Sequence, residues 1–163
     1  MNTTRIIDSI RIDRTRIDAV PAIPEVDGSM SMLEAAHRYA AAGLYLLPLR
    51  AGTKNPGNVV GGNWPQKSAR DIDALLDWFT LSDFGLALHT GRSGLVVFDV
   101  DRPDCVPPVL RRELMRPDVP HQASDGTPGR GHYVFRVPLG SNFGTSAGPL
   151  GTEWGDVRGG NSV

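Results

Sequence analysis

The chain has 163 residues, 40% of them hydrophobic and 21% charged, which suits one folded domain with a tail and excludes a low-hydrophobicity disordered chain. Seventeen basic residues against 18 acids leave a net charge of −1, so no global basic field draws in nucleic acid and any polyanion must be held locally. One cysteine, Cys105, excludes an internal disulfide and the cysteine-built zinc sites, and no apolar run approaches the roughly 20 residues that span a bilayer.

Residues 1–30 alternate isoleucine with Arg, Asp and Ser before reaching PAIPEVDGSM, and they read as a flexible tail ahead of a domain over residues 31–163. The N-terminus lacks the unbroken apolar core of a secretory signal, so a cytoplasmic protein is expected. Ser31-Met32-Leu33-Glu34 is a capping box that predicts a helix from Met32 to Ala42, closed by Gly43. LYLLPL (44–49) predicts a buried strand. Residues 50–67 hold four glycines and two prolines and read as a long loop of functional or mobile character. Ser68 to Asp71 reads as a second capping signal, for a helix through Trp78 with Ile72, Leu75, Leu76 and Phe79 on one face.

FGLALHTG (84–91) and SGLVVFDVD (93–101) predict two strands paired as an antiparallel hairpin through the turn at 90–94. A short helix is expected over residues Cys105 to Met115, and a strand over 132–139 behind the glycine loop SDGTPGRG (124–131). A last strand starts near Asp156, and no internal repeat is present.

Three segments carry chemistry. Strand alternation puts Asp99 and Asp101 on one side of VVFDVD, with Phe98 and Val100 toward the core. Like charges so close call for a cation or a proton, and paired carboxylates suit magnesium or manganese; the bland alternative is a solvated strand end. Glycines 126, 129 and 131 before His132 suit a phosphate cradle, although a glycine turn and a structural histidine explain the same run. WGDVRGG adds Asp156 and Arg158 on one side of a short extended segment, and a turn Asp with a surface Arg is its plain reading.

Taken in order, AAHRYAAAGLYLLPL, the Lys-x-Pro of TKNP, the tryptophan-containing loop, the helix ending in Trp78, FGLALHTGRSGLVVFDVD, GRGHYVF and GDVRGG resemble the N-terminal primase-polymerase domain of bacteriophage and plasmid replication proteins. Those domains belong to the archaeal and eukaryotic-type primase superfamily. The resemblance implies an α+β, RRM-like fold with a mixed or antiparallel sheet and helices packed on one side. It implies a DNA primase/polymerase, a nucleotidyltransferase that makes or extends primers in phage or plasmid DNA replication by a two-metal mechanism. Asp99, Asp101 and Asp156 match the catalytic metal-binding acids, and His132 matches the residue at the nucleotide's phosphates. Arg130, Arg158 and Lys54 match nucleotide-binding positions, and Mg2+ or Mn2+ is the implied cofactor. Single-stranded DNA template and nucleoside triphosphates are the implied partners, with no membrane, in the cytoplasm of a bacterial host.

Relatives usually run on through an apolar strand into a Pro-Pro-Ser-like segment, often followed by a helicase domain, whereas this sequence stops at GGNSV. A missing C-terminal part, or a helicase or completing polypeptide acting in trans, is therefore expected. The alternative function is a noncatalytic or split fragment that binds nucleic acid or a replication partner. VVFDVD also looks like the first motif of haloacid dehalogenase-type phosphatases, but Arg102-Pro103 follow it in place of that family's Thr or Val with a small apolar residue.

Overall fold

The computed structural model describes residues 23–138, 141, 143–145 and 153–163, so the tail expected over 1–30 lies, up to residue 22, outside the described residues. The described chain is an α+β fold with two antiparallel sheets.

Helix α1 spans Met32–Ala41 and starts at the anticipated capping box: Ser31 Oγ accepts from the Glu34 N–H at 3.2 Å, and Glu34 Oε2 accepts from the Ser31 N–H at 2.8 Å. Such caps typically contribute about 1 kcal/mol. Gly43 ends the turn at φ +81, a left-handed conformation. Strand β1, Leu46–Leu49, contains Pro48, which lacks an N–H and so suits a strand with one open edge. Two single-turn helices follow, α2 Gly57–Val60 and α3 Trp64–Lys67. Helix α4, Ile72–Phe79, is capped by Asp71, whose carboxylate accepts from the Ala74 N–H at 3.0 Å. Strand β2, Gly85–Leu88, pairs with β1 in a two-stranded sheet, and Ala36, Leu46, Leu75 and Phe79 form the core beneath it.

The second sheet is ordered β4-β5-β3-β6. Its members are β3 Leu95–Val100, β4 His121–Ala123, β5 Gly131–Arg136 and β6 Gly155–Arg158. Alternation along β3 sends Val96, Phe98 and Val100 to one face, where they meet Val106, Tyr133, Trp154 and Val157. Leu114, from helix α5 Pro108–Leu114, closes that core. Val97 and Asp99 therefore point to the opposite face.

Several expectations are corrected. The predicted hairpin between 84–91 and 93–101 does not form: β2 pairs with β1, and β3 lies in the other sheet between β5 and β6. Turn bonds at 90–94 are present, with Leu95 N–H on Thr90 O at 2.8 Å, but the N–H groups of Thr90 and Gly91 donate to Ser162 O and Gly160 O. The turn is thus tied to the chain after β6 and carries β3 away into another sheet. The long loop at 50–67 holds α2 and α3.

Ser68 does not cap α4; its buried hydroxyl donates to Pro65 O. Leu75 and Phe79 are buried as expected, whereas Ile72 and Leu76 are 49% and 43% exposed, so the apolar stripe is wider than the face α1 covers. The helix foreseen over 105–115 starts at Pro108, after a 3-10 turn at Pro103–Cys105, because Pro107-Pro108 fits a helix start better than an interior. The strand foreseen over 132–139 is Gly131–Arg136.

Candidate active site

The register of the second sheet assembles the site. Asp99 on β3 lies directly across from His132 on β5 and from Asp156 on β6. Directly opposed residues of antiparallel strands point to the same face, so one row across three strands reads His132, Asp99, Asp156. Two glycines permit this register. A β-carbon at Gly131 would lie 2.2 Å from Gln122 O, and one at Gly155 would lie 1.9 Å from Asp99 O. Only glycine lets β4 and β6 approach so closely.

Asp99 is the electrostatic centre, its side chain 12% exposed. His132 Nε2 lies 3.3 Å from Oδ1, and Arg158 Nε and Nη2 donate to Oδ2 at 3.2 and 2.7 Å. The hydrogen bond from His132, reinforced by Arg158, outweighs burial and holds the Asp99 carboxyl down at about 2. Arg158 Nη2 also lies 3.7 Å from Asp156 Oδ2, so one guanidinium faces two acids.

Asp101 sits just beyond β3 and is more open, its side chain 58% exposed. Its backbone N–H donates to Trp154 O at 2.8 Å, which fixes the chain where it leaves the sheet. Arg130 Nη2 reaches Asp101 Oδ1 at 3.3 Å, while its Nη1 pairs with Asp125 Oδ2 at 2.7 Å. Asp125 was not picked out from sequence, and its Asp-Gly-Thr context was the available signal: its Oδ1 accepts from the Thr127 N–H at 2.8 Å in an Asx turn. That backbone bond, first, holds the Asp125 carboxyl below the usual range.

Six of the seven residues singled out thus gather at one end of β3, as two adjoining ion-pair groups. Lys54 does not join them. It is exposed in the turn after β1 and makes no hydrogen bond or ion pair with the described residues.

Three carboxylates at one strand end, with no sulfur donor among them, suit a hard divalent cation in their chemistry. Their geometry is that of acids held by arginines. Among the described residues no three His, Cys, Asp or Glu side chains converge into a metal-ligand cluster, and both Asp99 oxygens face His132 or Arg158. The donor set suits such an ion in its chemistry, while Arg158 and His132 hold the Asp99 oxygens in this geometry.

Residues 36–163 match the model of one protein family, described as bifunctional DNA primase/polymerase, N-terminal. No curated protein and no solved structure matches the chain.

Proposed function

Because the chain belongs to the bifunctional DNA primase/polymerase N-terminal family, we propose that the His132–Asp99–Asp156 row is its nucleotidyl-transfer site, acting in primer synthesis or extension during phage or plasmid DNA replication. The observation that carries this reading is the register itself: three strands distant in sequence bring two acids and a histidine into one row, and a sheet has no structural need to oppose two acids.

Asp99, Asp101 and Asp156 are the residues that would hold divalent cations, Mg2+ or Mn2+, which when bound polarise the attacking 3′-hydroxyl and offset charge on the leaving pyrophosphate. The chain's own groups divide the remaining work. His132, 40% exposed, would turn the imidazole N–H that now faces Asp99 toward the phosphates of an incoming nucleoside triphosphate. Arg158 and Arg130 supply planar guanidinium donors that match phosphate oxygens. Each already lies against an acid of the site, so a short side-chain rotation takes it from carboxylate to phosphate. Asp99, held ionised by its neighbours, needs no deprotonation at neutral pH. Lys54 lies in the basic segment after β1, where contact with the template backbone suits it better than contact with the nucleotide.

The test is template-directed incorporation on single-stranded DNA, with and without a primer, in magnesium or manganese. Asp99→Ala should lower incorporation by roughly 100-fold or more, as loss of one electrostatic stabiliser does elsewhere. Full activity in Asp99→Ala would overturn the assignment. Absence of incorporation by the folded wild-type chain would leave a nucleic-acid-binding or split fragment as the reading.

A further inference from the structure

Among the described residues the ion pairs of this chain gather around the four-stranded sheet, although Arg111 and Arg136 there donate to the backbone carbonyls of Asp104 and Ser93. Around the four-stranded sheet, Arg112, Arg116, Arg130 and Arg158 each face a carboxylate within ion-pair distance. Residues 50–70 instead hold Arg50, Lys54, Lys67 and Arg70 and no acid at all. Lys67 and Arg70, with Arg92 beside them, are anchored on neutral oxygens. Lys67 Nζ donates to Val60 O, Arg70 Nη1 to Gly43 O at 3.5 Å, and Arg92 Nη1 to Gln66 O at 3.3 Å, to Ser68 O and to Ser68 Oγ at 2.9 Å. Among the described residues no carboxylate pairs with Lys67, Arg70 or Arg92. A carbonyl orients a cation without cancelling its charge, so the group keeps a positive field toward solvent.

Aromatic rings are set into the same surface. The guanidinium of Arg92 lies 4.0 Å from the Tyr45 ring centroid, and that of Arg70 lies 4.9 Å from it. Half-buried Trp64 stands 5.6 Å from the buried His89 ring, at the start of α3. This surface is joined to the acid-bearing sheet face. The Tyr45 N–H donates to Ser93 Oγ at 2.9 Å, and Arg136 Nη1 donates to Ser93 O at 3.3 Å. Arg136 pairs across from Leu95 on the face that carries His132 and Asp99. From Leu95 to Asp99 is four strand residues, about 13 Å.

We propose that Lys67, Arg70 and Arg92, with Tyr45 and Trp64, form a binding site for single-stranded nucleic acid that leads the template onto the catalytic face. The proposal rests on the primase/polymerase reading and adds where the template strand lies. Uncompensated cations give affinity for a phosphate backbone, and the half-buried rings of Tyr45 and Trp64 with the exposed guanidinium planes of Arg70 and Arg92 accept unstacked bases without reading their sequence. A duplex keeps its bases stacked and offers this surface phosphates alone. Arg92 has a second duty, since its bonds to Ser68 and Gln66 pin the end of α3 and keep the surface rigid before binding.

The test is fluorescence anisotropy of a labelled oligothymidylate with the full chain over a salt series, against a duplex of equal length. Lys67→Glu/Arg70→Glu should weaken oligothymidylate binding at least ten-fold and flatten the log affinity against log salt slope by about 1.4, about 0.7 for each cation removed. Lys67→Gln/Arg70→Gln, neutral and close in shape, should give part of that loss. Both positions are exposed, and circular dichroism reports whether the fold is kept. Unchanged affinity and slope in the reversed-charge variant overturn the proposal, as does a wild-type preference for duplex. Asp99→Ala separates the two readings: it should bind oligothymidylate as wild type does while losing incorporation. An effect of the basic variants on binding in a protein that incorporates nothing would keep this site and remove the catalytic reading.

Discussion

The α-carbon of Gly155 packs so tightly on the backbone of Asp99 that a β-carbon there would lie 1.9 Å from the Asp99 carbonyl oxygen. The glycine adopts φ +154, a conformation that side-chain-bearing residues rarely take. The third acid of the site, Asp156, is the next residue, so the approach of β6 to β3 sets the separation of Asp156 from Asp99. Gly155→Ala should therefore destabilise the fold by about 1–3 kcal/mol, the usual range for overpacking, and displace Asp156 as well. Urea unfolding reads the first effect, and an unchanged midpoint would show that β6 is not seated on Asp99.

A second expectation concerns acid. The Asp99 carboxyl is held at about 2 in the fold, by His132 first and then Arg158, below the ordinary aspartate value of 3.8. A depressed folded-state value means that ionised Asp99 stabilises the protein at pH above about 4, and that this contribution is lost as pH falls toward 2. It amounts to about 2 kcal/mol at neutral pH. Asp99→Asn carries no such charge, so its unfolding free energy should fall less steeply than that of wild type between pH 4 and 2. Parallel curves for the two proteins would refute the coupling.

Arg158 faces the same two acids proposed to hold divalent cations. Arg158 occupies Asp99 Oδ2 with two N–H groups, so a metal ion at that oxygen has to displace it. Arg158→Ala should bind Mn2+ several-fold more tightly than wild type, read by the electron paramagnetic resonance of free Mn2+, while binding nucleoside triphosphate more weakly. Weaker Mn2+ binding in Arg158→Ala would mean that the arginine instead holds the acids in place.

Local signals in the sequence translate directly into structure where the physics is local. The Ser31–Glu34 box starts α1 as read, and the alternation of VVFDVD puts Val96, Phe98 and Val100 in the core with Asp99 on the other face. Strand partnership is not local. The apolar run 84–91 satisfies its hydrogen bonds equally well on β1 or on β3, and the turn at 90–94 does not choose between them. Gly160 and Ser162, some 70 residues on, accept the turn's N–H groups and tie it to the chain after β6, a contact that local sequence does not announce. The same limit applies to the site. Asp99, Asp156 and His132 were legible as candidates, while their meeting in one row depends on two strand registers, and Asp125 enters only through the Arg130 that it shares with Asp101. Ile72 and Leu76 fit the helical period, but period says nothing of how wide a face a neighbour covers.

The central position of β3 bears on how the site moves. Every ladder bond of the strand is shared with β5 or β6, and its other face carries Val96 and Val100 of the main core. Asp99 therefore sits in the segment least able to open by itself, and exchange of its amide hydrogen with solvent requires something close to complete unfolding. Arg130 and its loop 124–130, joined to the sheet chiefly through ion pairs and short turns, can open at far lower cost. The chain thus fixes Asp99 on its central strand and leaves Arg130, one of the two arginines proposed to reach phosphate, on a faster loop, so ligand exchange and site integrity run on separate clocks.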